Sequence, residues 1–377
     1  MHSDDAGLDL MEADVRREGA AIRDAVPALR GSVAGIAGAV PARPTRVYLI
    51  GCGDSLDGGI AARFVWDRMM ACPVEAVPAM TFATSVVEDA PEGSLVVALS
   101  QSGKVSRVIE GVRSARARGL GTITITASST SPLAQEPADA TWLIPFDKLG
   151  AVPGTTSHIL GTVAFYELGC ALAEDGSARD RVRSDLGRLG DLIDETLAAC
   201  VTASLLHADA MAREHPVLLL GYGPVLSSAR FTVRKLLELT QLIALWQETE
   251  EYAHDEYSLV GPGFRVMQFC PPDRGGTRNA EVARYLQRLG VHLTIVADGS
   301  EAEAYGALAD IVYPMPACPP SLVPLLYALP GQSMSIATAR RVGGSLYGMA
   351  ERVHKEDGDP QIYESAIATA TTEGTVG

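Results

Sequence analysis

The chain has 377 residues, 47% hydrophobic and 20% charged, with a formal net charge of -15 at pH 7. That length fits two domains of ordinary size, each able to bury a core. The acidic balance excludes nucleic acid as the main partner, because phosphate backbones need a basic surface, and an anionic ligand has to be captured by local donors against the overall field. No apolar run reaches spanning length, and the start Met1-His2-Ser3-Asp4-Asp5 is acidic where a signal or transit peptide would be basic. A soluble cytoplasmic protein with no membrane partner is expected. Six cysteines, Cys52, Cys72, Cys170, Cys200, Cys270 and Cys318, are scattered without CxxC pairing, so they read as reduced thiols rather than a zinc ribbon or a disulfide framework.

Residues 1–43 place Leu10, Val15, Ile22, Val26 and Leu29 at helical spacing and end at the breaker cluster Pro41-Ala42-Arg43-Pro44. A first α/β domain, 44–180, opens with the buried-strand run Val47-Tyr48-Leu49-Ile50, which ends in Gly51-Cys52-Gly53-Asp54-Ser55. A second such run, Leu95-Val96-Val97-Ala98-Leu99, ends in Ser100-Gln101-Ser102-Gly103. Small hydroxyl and amide side chains at a strand end, with a glycine for close approach and a helix N-terminus to follow, form a cup for a phosphate. The other reading of that tetrad alone is a polar turn that caps a helix. Two such loops in one α/β unit would lie side by side at the carboxyl edge of a parallel sheet, where open α/β folds bind ligands.

A charged helical connector, 181–214, carries Val182, Leu186, Leu189, Leu192, Ile193 and Leu197 on one side and leads to a second α/β domain, 215–345, and a tail, 346–377, with small polar residues at its end. The second domain repeats the first. Val217-Leu218-Leu219-Leu220-Gly221-Tyr222-Gly223 answers Val47 to Gly53 at an offset of 170, and the segments from Gly290 to Val296 and Asp310 to Pro316 answer Gly119 to Ile125 and Asp139 to Pro145 in the same order. The chemistry has diverged. Where the first copy has Ser100 to Gly103, the second has Cys270-Pro271-Pro272-Asp273, so the phosphate is expected in the first domain only.

Ser227 and Ser228 are candidate caps for a helix running through Lys235, Glu238 and Trp246. Glu238, flanked by Leu237 and Leu239, would be partly desolvated and so raised toward the range of a general base; its plainer reading is an ion-pair partner of Lys235 or Arg234. The acidic run Glu248-Thr249-Glu250-Glu251, with a single histidine at His254, reads as a solvated face rather than a metal site.

From about residue 44 to the tail the chain resembles the tandem sugar-isomerase (SIS) domain proteins, closest to the isomerase half of glucosamine-fructose-6-phosphate aminotransferase and to stand-alone amino-sugar phosphate deaminases, isomerases and fructosamine-6-phosphate deglycases. The resemblance implies two tandem three-layer αβα sandwiches of flavodoxin-like type. Cys52-Gly53-Asp54-Ser55 is similar to the family's C-G-T-S sugar loop, and Ser100-Gln101-Ser102-Gly103 to its S-Q-S-G phosphate loop. Val152-Pro153-Gly154-Thr155-Thr156 stands at its sugar-contacting V-A-S-T, and Lys235-Leu236-Leu237-Glu238 at its K-L-K-E. By that resemblance Cys52, Gly53, Ser55, Val152, Thr155 and Thr156 hold the sugar, Ser100, Gln101, Ser102 and Gly103 hold the phosphate, and Glu238 moves a proton between the first two sugar carbons. His254, sixteen residues after Glu238, falls at a histidine linked with ring opening that reaches across a homodimer interface.

The departures are specific. Lys104-Val105-Ser106 replaces the usual E-T after the phosphate loop, which offers Ser106 or an ammonium for the lost threonine. Asp255-Glu256 replaces the Gly-Pro that follows the histidine. Asp357-Gly358-Asp359-Pro360 survives, but no lysine follows Lys355, and the other lysines are Lys104, Lys148 and Lys235. Lys235 is then the nearest candidate for an amine nucleophile. With no glutaminase domain and no cysteine near Met1, the chain is not expected to draw ammonia from glutamine. The expected activity is aldose-ketose proton transfer on a hexose or amino-hexose 6-phosphate, with no metal or other cofactor. Deamination, deglycation of a fructosamine 6-phosphate, and a non-catalytic sugar-phosphate sensor are the other readings.

Overall fold

A computed structural model describes residues 3–41, 43–147, 149–211, 216–348 and 362–365. Among the described residues ten strands make two sheets. The first holds β1 (Val47–Gly51), β2 (Val74–Pro78), β3 (Leu95–Leu99), β4 (Gly121–Thr126) and β5 (Ala140–Leu143); the second holds β6 (Val217–Gly221), β7 (Ala244–Glu248), β8 (Arg265–Cys270), β9 (His292–Asp298) and β10 (Ile311–Met315). Their orders are β2-β1-β3-β4-β5 and β10-β9-β8-β6-β7, which is one topology read from opposite ends. Every pairing is parallel, and the registers match: Val47 faces Val74 and Leu95, while Val217 faces Ala244 and Arg265.

Parallel strands covered on both faces favour apolar residues throughout, and β1, β3 and β6 are buried at every position; β8 is buried throughout as well but carries Arg265 and Gln268, which donate to the carbonyls of Ala210 (2.5 Å) and Asn279 (3.1 Å). Alternate side chains serve different cores. Val47, Leu49, Val217 and Leu219 enter one large core, whereas Tyr48 and Ile50 face a second core and Leu218 and Leu220 a third. The large core runs through both units, because the helices Glu18–Ala37, Thr156–Leu172 and Leu189–Met211 contribute to it together. Each fully buried leucine in it is worth roughly 1.5–3 kcal/mol over exposure. A buried bond from Trp66 Nε1 to the Phe165 carbonyl, 2.9 Å, pins the Asp54–Trp66 helix to the Thr156–Leu172 helix.

Two local expectations are corrected. The helix of the second domain spans Leu226–Thr240 and stops at Gln241, whose φ of 54° is left-handed, so Trp246 lies on strand β7. Ser227 and Ser228 sit inside that helix and donate to the carbonyls of Pro224 (2.6 Å) and Pro324 (2.9 Å) rather than capping it. The connector is two helices, Gly176–Leu186 and Leu189–Met211. All six cysteines are free thiols, and among the described residues no helix is long and apolar enough to cross a membrane.

Candidate active site

At the carboxyl end of β1, Gly53 takes a φ of +58° and turns the chain into the Asp54–Trp66 helix. At the end of β3, Gly103 takes a φ of +67°, and a Cβ there would lie 2.1 Å from Ser131 Oγ, so no larger residue fits. The loop closes on itself around that glycine: the Gly103 amide donates to Ser100 Oγ (3.2 Å) and the Lys104 amide to Ser102 Oγ (3.3 Å). Gln101 is different. Its side-chain nitrogen and oxygen are both buried with no partner among the described residues, a cost of about 1–3 kcal/mol for each group that a ligand's donors and acceptors would relieve.

These two loops line a cleft of about 670 Å³ whose opposite wall comes from the second domain. Cys52, Gly53, Asp54, Ser55, Ser100, Gln101, Ser102, Val152, Pro153, Gly154, Ser157 and His158 face Arg234, Leu237 and Glu238 across it. Lys235, one turn before Glu238 on the Leu226–Thr240 helix, is fully buried beneath the cleft; its Nζ lies 2.6 Å from Glu238 Oε2 and 2.9 Å from Asp54 Oδ2. Burial by itself would drive the ammonium's pKa down, but the two carboxylates outweigh it and hold Lys235 above the ordinary lysine value. Glu238 keeps 30% of its side chain exposed toward the cleft. Desolvation and the nearby Asp54 charge push its pKa up against the pull of Lys235. Both sequence readings of Glu238 therefore hold at once: it is an ion-pair partner, and it is a desolvated carboxylate in a cleft.

A second charged junction supports the first. Asp57, fully buried one turn after Asp54, accepts Arg230 Nε at 2.7 Å and Arg234 Nε at 2.6 Å, which bonds the Asp54–Trp66 helix of one domain to the Leu226–Thr240 helix of the other. A carboxylate and a pair of guanidiniums at i and i+4 were visible in the sequence, but nothing there showed that they faced each other.

Other expected site residues lie elsewhere. Thr155 and Thr156 do not line the cleft: both are buried, and their hydroxyls go to Asp14, Thr155 to its carboxylate and Thr156 to its carbonyl at 3.1 Å. Ser106 starts the Ser106–Ala117 helix and donates to the Ser365 carbonyl at 2.5 Å, while Lys104 pairs with Glu364 at 3.4 Å, so the described tail segment lies against the phosphate-loop side. Tyr347 and Tyr363 also line the cleft. His254 stands exposed beside Glu250, 3.7 Å away, outside the cleft of its own chain. Lys148, Lys355 and the Asp357 to Pro360 segment lie outside the described residues. Among the described residues no group of three or more His, Cys, Asp or Glu is placed to hold a metal. His158 was missed, since no charge or glycine pattern marks it.

The second domain has no counterpart of the cup. There the Tyr222 hydroxyl donates to Asp273, Asn279 Nδ2 donates to that hydroxyl at 3.3 Å, and Asp273 Oδ1 takes the Gly275 amide at 2.7 Å. Asp273 takes the Tyr222 hydroxyl and the Gly275 amide and brings a negative charge to the loop, which disfavours an anion there.

A SIS domain model matches residues 42–160. The chain is 26% identical over 298 residues to glutamine-fructose-6-phosphate aminotransferase [isomerizing] of Pyrobaculum aerophilum, covering 78% of this chain and 48% of that one. It is 27% identical over 308 residues to the enzyme of the same name from Mycobacterium bovis, covering 79% and 49%. The chain thus spans about half the length of the curated relatives it matches. Among solved structures, the C-terminal domain of glucosamine-fructose-6-phosphate aminotransferase from Francisella tularensis superposes with a TM-score of 0.78 at 17% identity, covering 90% of this chain and 98% of that one. Glucosamine-6-phosphate deaminase from Thermotoga maritima gives 0.68 at 19% identity, with 88% and 96% covered. The fold is that of two tandem SIS domains.

Proposed function

We propose that the chain is an aldose-ketose isomerase of a hexose or amino-hexose 6-phosphate, with Glu238 as the group that moves the proton. The observation that carries the reading is the placement of a desolvated carboxylate with raised pKa in the same cleft as the unpartnered Gln101 of the phosphate loop. The Ser100 to Gly103 cup anchors the phosphate, and that remote binding energy orients the first two carbons at Glu238. Glu238 takes the proton from one carbon, leaving an enediol or enolamine, and returns it to the neighbouring carbon. Its raised pKa suits both halves of that exchange. Lys235, held protonated between two carboxylates, serves as the counter-charge and not as an amine nucleophile.

Release of an amine is the second reading, in deamination or in deglycation of a fructosamine 6-phosphate. It is favoured by one observation: Asp54 Oδ1 is buried without a partner among the described residues, and Asp54 lines the cleft, where a substrate N–H would find an acceptor. We also propose a homodimer in the cytoplasm, with no glutaminase activity. The exposed Ile243, Leu245 and Trp246 at edge strand β7 support the dimer as a surface fit for burial.

The test is incubation of hexose, amino-hexose and fructosamine 6-phosphates in heavy water, followed by proton NMR. Deuterium entering at carbon one or two with wild type and falling by about 10²–10⁴ in Glu238→Gln supports the reading. Ammonia or amine release selects between its forms. Binding without exchange across the panel points to a sensor instead.

A further inference from the structure

The Thr156–Leu172 helix joins two cavities. Its first residues, among them Ser157 and His158, line the cleft, and its last, Cys170 to Leu172, line a second cavity of about 760 Å³. That is room for a small molecule, and one with an apolar body meets Val33, Ala37 and Leu172 in the wall. The charges there are unlike those of the chain as a whole. Arg30, Arg43, Arg179 and Arg183 line the cavity with one carboxylate, Glu174, in a protein of net charge -15.

The acids around those arginines do not use them up. Glu167, fully buried, accepts Arg30 Nε at 3.0 Å and Nη2 at 2.7 Å on Oε1. Its Oε2 lies 3.5 Å from Arg183 Nε, and both atoms are buried with no hydrogen bond among the described residues. One carboxylate thus stands against two guanidiniums. Arg43 has Glu174 at 3.4 Å and Arg179 has Asp180 at 2.9 Å, but the Arg43 and Asp180 side chains are 83% and 68% exposed, and pairs so open to water contribute little and exchange readily. Setting Glu167, Glu174 and Asp180 against the four arginines still leaves a surplus of one positive charge. Three of the four converge on the cavity's thiol: burial pushes Cys170 up to about 12 and Glu167 adds to the rise, while Arg183, Arg30 and Arg179 pull the other way.

We infer that this cavity is a binding site for a small organic diphosphate, held by Arg43, Arg179 and Arg183 beside the Arg30 that Glu167 fixes. Guanidinium forks take phosphate oxygens two at a time, and a concave wall of them draws in an anion against the field of the whole chain. The charge sets the class of ligand. Once a ligand replaces Glu174 and Asp180 as partner of Arg43 and Arg179, four guanidiniums face Glu167 alone, a difference of three, which a fully ionised diphosphate ester matches. The site is separate from the cleft, since Glu167 follows His158 by nine residues on one helix, roughly 14 Å along its axis. It goes beyond the isomerase reading and does not rest on it.

The experiment is calorimetry at low salt with ADP, inorganic pyrophosphate and adenosine as probes. The proteins are wild type, Arg43→Gln, Arg179→Gln, their double variant, Gln101→Ala, and Arg116→Gln as a control at an exposed arginine outside the cavity. ADP and pyrophosphate are expected to bind wild type and adenosine not to. Each single cavity variant should weaken ADP by about tenfold and the double variant by about 10²-fold, with no change in Gln101→Ala or Arg116→Gln. Both replaced side chains are exposed, so the variants should keep the circular dichroism of wild type and its deuterium exchange on sugar phosphates. Weakening in Gln101→Ala with none in the cavity variants would put the probes in the phosphate cup and overturn the assignment. Equal weakening by Arg116→Gln, adenosine binding as tightly as ADP, or no binding of either diphosphate probe to wild type would overturn it too, and each leaves the isomerase reading standing.

Discussion

Lys235 Nζ donates to Asp54 Oδ2 at 2.9 Å, and through that bond the second domain places its buried cation under a loop of the first. The same nitrogen lies 2.6 Å from Glu238 Oε2, so one ammonium serves two carboxylates. Removing the cation leaves two acids in a desolvated place. Lys235→Met is expected to cost about 3 kcal/mol, the lower end for breaking a buried pair, because Asp54 and Glu238 keep 24% and 30% of their side chains exposed. Urea unfolding checks it, and the double variant Asp54→Asn, Lys235→Met should recover part of the loss. An unchanged urea midpoint in Lys235→Met would contradict the assignment of this pair as a structural junction.

Asp54 also tunes its neighbours. Its negative charge raises the pKa of Glu238 and works against the burial that lowers His158. Neutralising it lowers both, because ionised Glu238 loses a repelling charge and protonated His158 loses an attracting one. A base works only when deprotonated, so the acidic limb of the kcat/KM profile should move to lower pH in Asp54→Asn. A limb that stays in place, or moves up, would show that neither group sets it.

The sheets were legible because a parallel strand buried on both faces has to be a short apolar run, and the duplicated runs at Val47 and Val217 announced both domains. Edge strand β7 was not, since Leu242, Ile243, Leu245 and Trp246 continue the apolar pattern of the preceding helix and only the left-handed Gln241 stops it. Glu238 and the Ser100 loop could be named from local pattern and family resemblance. Asp57 with Arg230 and Arg234, and His158 on Phe231, could not, because each is a meeting of two domains about 70 residues or more apart in sequence. Thr155 and Thr156 failed for a related reason: hydroxyls in a ligand-loop pattern were claimed by Asp14 from a helix that the pattern did not include.

Glu18 gives the stability a pH dependence of its own. It is fully buried, and among the described residues its Oε2 has no partner and its one side-chain bond is from Gln332 Nε2 at 3.4 Å. Burial pushes its pKa up from an ordinary 4.5 to about 8, with Asp14 adding to the rise. The folded chain keeps this proton where the unfolded chain has released it, so stability is fully present below the ordinary value and is lost as pH rises toward 8, by about 1.4 kcal/mol per unit. Glu18→Gln should abolish that share of the slope. The difference between wild type and variant in urea midpoints from pH 5 to pH 8 checks it, and parallel curves would place the proton elsewhere.

Phosphate capture distinguishes two residues that the sequence placed in one cup. Gln101 points both amide atoms into buried space without a partner, whereas the Ser106 hydroxyl is spent on the Ser365 carbonyl. A hexitol 6-phosphate, which cannot react, reports affinity alone. Gln101→Ala removes a donor whose desolvation is already spent, so its loss is expected to weaken binding by about 1–2 kcal/mol, roughly tenfold. Ser106→Ala removes one of the tail's anchors and leaves the Lys104–Glu364 pair. If the tail segment competes for the loop, that variant should bind the hexitol phosphate as well as wild type or more tightly, and calorimetry separates the cases. A tenfold weakening in Ser106→Ala with none in Gln101→Ala would mean that the tail moves away on binding and that Ser106 replaces Gln101 as the phosphate donor.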